Sequence, residues 1–572
     1  MKNITLTKIP IGGGKEPCLN SKKIVLSLAT ISFLASCANA KFNSEIKTYD
    51  EANKNLKTRS ASVYSPQAKI NTTINSLHNQ QVTITGNGTS NSLTIGSNGT
   101  LTGNNKVIYV HASNSNTLTL TNLTNNGTIN GKVSVENSKG NFTGTITVNT
   151  FENTGQINGQ IYMGIWGGNS GTLNIDKFDN SGTIIDNNKG VFFEGKNTNI
   201  QTFNNSGFIS ANKGVDIGNI GTIKNFNNNG TIQGSEVGVA INTKIDTFTN
   251  NGFINSPGSG QWNNGIWISS NATIEKLVNN GTIKGGHSAI MVTSQHIKTV
   301  ENTGIIHAEG EWGSSILLEY GGFIEHIINT GTISSNNVGI GSAYGVFGTL
   351  TIKDGGIVYG KEAGILVGQW QTLGDLYIDG GKNTSKDGTV SGIYGDNNGI
   401  SLNESSKTQK IELVNGGIIQ GKVHGIRLDN GASLSGEMIL SGEGSRVEGG
   451  SGAGISNQSG KIEGSIKVED GATVTSSSGQ AISNSGSGSI TGGITVSGEN
   501  TKLEGNIINT GNASIGSDIK IEGGAKVEGG LVNQGNGSIS GSVQVSGGSS
   551  IDSITNEGSG SISGSITVDK GG

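Results

Sequence analysis

The chain has 572 residues, of which 95 are glycine and only 4 are proline, and charged residues make up 14%. Its formal net charge is −4 and arginine is scarce, so a clustered basic face of the kind that binds nucleic acid is not expected. The two cysteines, Cys18 and Cys37, both lie near the start, which excludes a disulfide-stabilised fold for the rest of the chain.

Residues 1–40 have the pattern of an export signal. A long polar segment with five lysines precedes an apolar run, and Ala-Asn-Ala offers a small-residue cleavage site between Ala40 and Lys41. The apolar run is too short for a permanent membrane helix. The overlapping Leu-Ala-Ser-Cys at residues 34–37 is similar to a lipobox, in which Cys37 would carry a lipid anchor. Plain cleavage and lipidation both predict export through the Sec pathway, and both interpretations stay open.

Two segments precede the main repeat. Residues 41–67 are charged and poor in apolar side chains, which predicts a linker or leader. Residues 68–122 contain looser alternating segments, such as Val107-Ile-Tyr-Val110, and are predicted to form the irregular first coils and N-terminal cap of a repeat array.

The region 123–448 contains a repeat whose clearest part runs from Leu123 to Ile333. An apolar residue, any residue, Asn, a small or polar residue, Gly, one more residue and Ile recur nine times, with the glycines 22 to 29 residues apart. A period in this range indicates a solenoid. The asparagines of the motif are Asn125, Asn153, Asn180, Asn205, Asn228, Asn250, Asn279, Asn302 and Asn329.

The spacing within each period indicates which solenoid this is. Apolar residues alternate with other residues, as in Gly265-Ile-Trp-Ile268, which is strand spacing, and each period divides into three short strands. We therefore predict an all-β fold, a right-handed parallel β-helix that forms a single elongated solenoid. The asparagines are expected to hydrogen-bond along the axis as a ladder. The motif glycines are expected at corners that require a positive φ angle.

The region 449–572 is richer in Gly and Ser but keeps the period. Its anchors are Asn457, Asn484, Asn509, Asn533 and Asn556, which lie 23 to 27 residues apart. We predict that this region continues the same solenoid with a thinner core. The sequence stops in mid-repeat, which predicts that the solenoid is a fragment of a longer protein.

No catalytic or metal-binding constellation is recognisable, so we predict neither an enzyme nor a bound cofactor or metal. A Gly-x-Ser-x-Gly nucleophile elbow is missing, and the seven histidines lack metal-ligand spacing. Acidic residues are scattered singly rather than clustered as a calcium-dependent polysaccharide lyase would require.

Three tryptophans form a candidate ligand platform. Trp262 and Trp312 lie in longer corner insertions, and two such insertions leaving one corner two coils apart would bring aromatic rings together for a sugar or a protein. Trp267 alternates with two isoleucines and is predicted to face outward and to be exposed. The alternative is that these rings cover the corner or fill the core.

The lysine-bearing signal and the cysteine-free, Asn- and Gly-rich β-helix together resemble the passenger region of bacterial autotransporters, which use type V secretion. The ending at residues 34–40 is similar to that of family members regarded as lipoproteins or adhesins. The resemblance implies display on the cell surface or outer membrane, a role in virulence and a C-terminal β-barrel translocator. This chain departs from the family because no barrel strands precede Gly572, and the Asn-Pro motif of two-partner secreted exoproteins is missing as well.

These observations predict an exported, surface-displayed and monomeric rod that acts as an adhesin and binds a host-cell or surface glycan or protein. One alternative is a structural stalk whose binding function lies elsewhere. A less favoured alternative is an exported β-helix enzyme that acts on a polysaccharide.

Overall fold

The fold is known from a computed structural model, which describes residues 62–64, 71–85, 88–112, 114–137, 140–166, 169–258, 260, 262–269, 271–381 and 390–569. The described residues are all-β, and their parallel strands stack as a β-solenoid of about 18 turns, as predicted. None of the described residues forms a helix long and apolar enough to cross a membrane. The predicted signal, the cleavage site at Ala40 and Lys41, and Cys37 lie outside the described residues.

One face of the solenoid is sheet I, in which each strand pairs in parallel with its counterparts one coil before and one coil after. Each coil contributes one strand as far as residue 414, and two short strands per coil after that. The strands are Asn71–Ile74, Gly88–Ile95, Thr117–Asn125, Thr145–Asn153, Thr172–Asn180, Thr198–Asn205, Thr222–Asn228, Lys244–Asn250, Thr273–Asn279, His296–Asn302, Phe323–Asn329, Val346–Ile352, Thr372–Asp379, Lys407–Val414, Ser433–Leu434, Met438–Ser441, Lys461–Ile462, Ile466–Glu469, Ser489–Ile490, Ile494–Ser497, Ser514–Ile515, Ile519–Glu522, Ser538–Ile539, Val543–Val545, Ser561–Ile562 and Ile566–Val568.

The rest of each coil belongs to sheet II, which has two arms. Arm IIa follows sheet I along the chain and comprises Leu77–His78, Gln156–Asn158, Thr183–Ile185, Phe253–Ser256, Thr282–Gly285, Ile305–Ala308, Thr332–Ser335, Ile357–Gly360, Gly392–Gly395, Ile418–Gly421 and Arg446–Gly449. Arm IIb leads back to sheet I and comprises Ser62–Tyr64, Val82–Thr85, Ile161–Ile165, Lys189–Glu194, Asn264–Ile268, Ser288–Thr293, Ser314–Glu319, Val338–Ser342, Ala363–Val367, Asn398–Leu402, His424–Leu428 and Ile455–Gln458. Strands that run through both arms are Thr100–His111, Thr128–Asn137, Phe208–Ile217, Thr231–Ile241, Thr473–Ser485, Lys502–Asn509, Lys526–Asn533 and Ser550–Asn556.

The core consists of columns in which equivalent residues of successive coils lie in register. In one column Phe151, Phe178, Phe203, Phe226 and Phe248 are fully buried, and neighbouring rings stack with centroids 4.5 to 4.9 Å apart. This separation equals the spacing between paired strands, so one aromatic ring per coil fills the interior without strain. The same column continues with aliphatic residues from Leu277 onward.

The motif asparagines form an unbroken ladder at the corner between sheet I and arm IIa. Each Nδ2 donates to Oδ1 of the asparagine one coil later, from Asn125 to Asn329, over 2.7 to 2.8 Å. The side chains are at most 2% exposed, so these bonds satisfy amides that water cannot reach. The last rung, Asn329, donates to the carbonyls of Gly331 and Ile357 instead.

The prediction that the motif glycines adopt a positive φ angle was wrong. None of the nine glycines from Gly127 to Gly331 has a positive φ angle. A Cβ at Gly207 would instead overlap the carbonyl oxygen of Gly182 one coil earlier, and the other eight meet the same obstacle. Glycine is required here because two backbones approach each other closely, and not because of φ.

The asparagines of the region 449–569 form a second ladder at a different corner. Asn457, Asn484, Asn509, Asn533 and Asn556 are joined Nδ2 to Oδ1 over 2.7 to 2.9 Å. They end arm IIb, where the chain turns into sheet I, and not sheet I itself. The solenoid is therefore continuous, as predicted, but its ladder changes corner. Its right-handed winding stays a prediction, in keeping with the usual crossover between parallel strands.

Candidate binding surfaces

On arm IIb one side chain per coil faces away from the core, and this column is apolar over several consecutive coils, although its Ala, Met and Leu side chains before residue 318 are at most 7% exposed. Ala240, Trp267, Met291 and Leu317 follow one another in register, and Leu366 occupies the same column two coils further on. Exposed aromatic residues flank this column at both corners of the arm. We call the combined surface the aromatic face, and it consists of Trp262, Trp267, Met291, Trp312, Leu317, Tyr320, Tyr344, Leu366 and Trp370.

The three predicted platform tryptophans all belong to the aromatic face. Trp262 and Trp312 precede arm IIb at the same corner, two coils apart, as the sequence suggested. Trp262 is half exposed and its ring lies 6.0 Å from that of Trp267, whereas Trp312 is 86% exposed and two coils place it roughly 10 Å along the axis. The platform is therefore one tryptophan pair with a separate exposed tryptophan beside it.

Trp267 faces outward as predicted, but the expectation that it is exposed was wrong. Its side chain is only partly accessible. The ring packs beside Trp262, its Nε1 donates to Thr293 Oγ1 over 3.3 Å, and Lys213 Nζ lies 5.7 Å from the ring centroid. Neighbouring coils supply these contacts, and alternation within one strand carries no information about them.

A second aromatic row, which the sequence analysis missed, lies where arm IIb turns into sheet I. Tyr320, Tyr344 and Trp370 occupy this corner in three successive coils, are 63% to 69% exposed, and the two tyrosine rings stack with centroids 6.5 Å apart. Tyr320 and Trp370 have φ angles of 50° and 65°, which is unusual for bulky residues. The available signal was an aromatic residue within three residues after the end of three consecutive arm IIb strands.

A different kind of surface lies nearer the start of the solenoid. A cleft of about 380 Å³ opens on arm IIb, and we call it the lysine cleft. A neighbouring cleft of about 490 Å³ shares Trp166, whose ring is 55% exposed between the two. The lysine cleft is lined by Lys106, Lys132, Glu136, Gln160, Tyr162, Trp166, Asn188, Lys189 and Phe192.

The charges of the lysine cleft are unevenly paired. Lys106 forms an ion pair with Glu136, and Lys189 Nζ lies 2.7 Å from the carboxylate of Asp216. Lys132 has no ion-pair partner among the described residues, and burial lowers its pKa. Its Nζ lies 4.5 Å from the ring centroid of Tyr162, so a cation–π contact compensates part of the lost hydration.

Two buried hydroxyl groups lie on the floor of this cleft, Tyr162 Oη and Ser134 Oγ, and the two residues are neighbours in the outward column of arm IIb. Burial raises the pKa of Tyr162, and the charge and hydrogen bonding of the Glu194 carboxylate raise it further, so the hydroxyl keeps its proton. Both oxygen atoms are shielded from solvent.

The described residues contain no group of three His, Cys, Asp or Glu side chains placed to hold a metal ion. Burial lowers the pKa of His287, His307 and His424, which favours their neutral forms. His307 is held by Ser334, with Nδ1 2.9 Å from the backbone carbonyl oxygen and 3.0 Å from Oγ. These histidines therefore belong to the packing of sheet II.

The fold and its surfaces define a parallel β-solenoid with ligand-sized clefts and exposed aromatic rings on one arm of sheet II. Comparisons with protein-family models, with curated proteins and with solved structures found no match for this chain.

Proposed function

We propose that the protein is an exported rod that adheres to a host-cell or other surface through its aromatic face. The observation that supports this most is the concentration of exposed aromatic residues there. Among the described residues, all exposed tyrosines and tryptophans except Trp166 belong to this face. Tryptophan and tyrosine dominate binding energy at interfaces, and soluble proteins rarely leave large apolar patches uncovered.

The exposed rings support binding over a purely structural role. The corner after arm IIb has a left-handed φ angle at Ser294 and Ser405 as well as at Tyr320 and Trp370. A small polar residue is therefore sufficient for this turn, and a stalk does not need exposed rings there. The stiff ladder of parallel strands would hold these rings in fixed register along the rod.

Export and surface display follow from the sequence of residues 1–40 and from the resemblance to autotransporter passengers. Display would require an outer-membrane translocator, as in the family that the chain resembles. The alternative role as a stalk predicts a rod of the same fold with no receptor of its own.

The test compares binding of the purified exported chain to host cells with that of two variants. The double variant Trp262→Ala/Trp312→Ala removes two exposed rings of the aromatic face, and the control variant Leu77→Ala removes an exposed apolar side chain outside both this face and the lysine cleft. We expect the double variant to lose about tenfold or more in affinity, since each hot-spot residue contributes about 2 kcal/mol or more. Equal binding of all three proteins, or no binding of the unaltered chain, would favour the stalk.

A further inference from the structure

The lysine cleft is separate from the aromatic face. It lies in the coils between residues 100 and 217, whereas the aromatic face lies in the coils between 253 and 372. The adhesion proposed above does not use it. Its lining nevertheless combines an exposed tryptophan ring, two side-chain amides and an ammonium group without an ion-pair partner among the described residues.

We propose that the lysine cleft binds an acidic sugar, in which a pyranose ring stacks on Trp166 and its carboxylate pairs with Lys132. Aromatic rings pack against the apolar face of such a ring, and Trp166 is exposed enough to do so. The amides of Gln160 and Asn188 line the same cleft and offer donors and acceptors to sugar hydroxyls.

The charge of the cleft selects a single carboxylate. Three lysines line it, and Lys106 pairs with Glu136 while Lys189 pairs with Asp216. Glu136 and Asp186 attract Lys132 without forming an ion pair with it, so its ammonium group is the one left for a ligand carboxylate. A partly buried ammonium group without a counter-ion is unfavourable, and a ligand carboxylate removes that penalty. A cationic ligand would meet the opposite effect.

The ring of Tyr162 positions the ammonium group. Lys132 Nζ lies 4.5 Å from the centroid of this buried ring. The cation–π contact holds the positive charge at the wall of the cleft, where a ligand carboxylate can pair with it.

The dimensions suit a sugar longer than one unit. A cleft of about 380 Å³ is near the lower end of ligand-site volumes and fits a single substituted ring. The neighbouring cleft of about 490 Å³ begins on the other side of Trp166. An acidic oligosaccharide could therefore extend across Trp166 from one cleft into the other.

The experiment uses the full exported chain and two sugars that differ in one group, D-galacturonic acid and D-galactose. Calorimetric titration should show that galacturonate binds about tenfold or more tightly than galactose, because a charge-assisted hydrogen bond is added. Lys132→Gln should abolish that difference, and Trp166→Ala should weaken both sugars. The control variant is Lys224→Gln, which removes an exposed lysine of sheet I and should bind as the unaltered chain does.

Several outcomes would overturn the assignment. These are no binding of galacturonate to the unaltered chain, equal binding of the two sugars, or an unchanged preference in a folded Lys132→Gln variant. Acetate that binds as tightly as galacturonate would show a carboxylate site without sugar recognition and would overturn it too. Thermal unfolding of Lys132→Gln and of Lys132→Arg, which keeps the charge, checks that folding is intact. The double variant Trp262→Ala/Trp312→Ala should keep galacturonate binding, so failure here is distinguishable from failure of the adhesion test.

Discussion

The coils of residues 123–333 and those of residues 449–569 use the same Asn-x-Gly spacing with different backbones, except that Ser459 replaces the glycine after Asn457. In the first region the motif ends a strand of sheet I, and glycines such as Gly207 avoid the left-handed region. In the second region it ends arm IIb, and Gly486, Gly511, Gly535 and Gly558 all have φ angles of 66° to 77°. The same short motif therefore specifies a corner with an amide ladder, but not which corner or which turn.

The columns of the core exchange roles between the two regions. The column that holds the first ladder becomes aliphatic at Ile352, the residue paired with Asn329. The column that holds the second ladder is apolar in most coils up to Leu428, the residue paired with Asn457, although it includes Ser342. Each corner column can thus be filled by amides or by apolar side chains, provided that neighbouring coils place the same kind of side chain there.

The ends of the ladders show the penalty for a mismatch. Asn457 Oδ1 is buried and has no hydrogen-bond partner in the described residues, because Leu428 lies where a donor would be. An orphaned buried acceptor costs about 1–3 kcal/mol. The first ladder avoids this cost at its own first rung, because Asn125 Oδ1 accepts a hydrogen bond from the Gly127 N–H over 3.3 Å.

The largest expected effect comes from placing asparagine at a motif glycine of each region. Gly207→Asn should destabilise the solenoid by more than about 4 kcal/mol, because its Cβ would overlap the backbone of Gly182. Gly535→Asn should cost under about 1 kcal/mol, because asparagine tolerates the left-handed region and the nearest atom, Gly511 N, is 3.2 Å from the new Cβ. The midpoints of guanidinium unfolding measure the stability of both variants. Equal losses of stability would contradict the conclusion that the two regions use different turns at the motif glycine.

A smaller effect is expected from interrupting the phenylalanine stack, which the second region lacks. Phe203→Ala should cost about 3–5 kcal/mol, since it leaves a cavity between two stacked rings. Phe203→Leu is the matched control and should cost much less, because leucine already occupies this column at Leu123 and Leu277. The same unfolding measurement applies, and a Leu variant as unstable as the Ala variant would show that the aromatic contacts themselves are required.

Replacing a ladder asparagine by leucine tests whether amides and apolar residues are interchangeable. Asn228→Leu should cost about 2–4 kcal/mol, because it orphans the Asn250 acceptor and leaves the Asn205 amide only its longer contacts to the carbonyls of Gly207 and Thr231. Asn457→Leu should be nearly neutral, since it extends the aliphatic column of Leu428 and only moves the orphaned acceptor to Asn484. Thermal unfolding measures the stability of both variants. A loss of stability in Asn457→Leu as large as that in Asn228→Leu would contradict this prediction.

The smallest effect concerns acid, and it should separate the two regions. Burial lowers the pKa of His287, His307 and His424, so below about pH 6.5 the unfolded chain binds more protons than the folded one. Stability should fall as the pH drops through that value. The region 449–569 contains no histidine, so at pH 5 the earlier coils should open first. Amide hydrogen exchange measures this opening coil by coil. If all coils opened equally at pH 5, protonation of carboxylates and not of histidines would explain the loss of stability.

The sequence predicted the solenoid, its period and the first ladder because each coil repeats one residue pattern. Nine matches at fixed positions place the asparagines from Asn125 to Asn329 at equivalent positions in successive coils. It did not predict the corner of the second ladder, because period alone does not locate a residue around the cross-section. It also missed Tyr320, Tyr344 and Trp370 and misjudged Trp267, because accessibility depends on turns from neighbouring coils. The lysine cleft arises from side chains three coils apart, which no local motif reports.

Every amide in both ladders donates toward the later coil, as from Asn125 to Asn153 and from Asn457 to Asn484. Their dipoles therefore add along the rod and strengthen one another, as chains of hydrogen bonds do. The solenoid therefore has a fixed direction along its side chains. Each coil of a ladder directs an amide N–H toward the position of the asparagine one coil later.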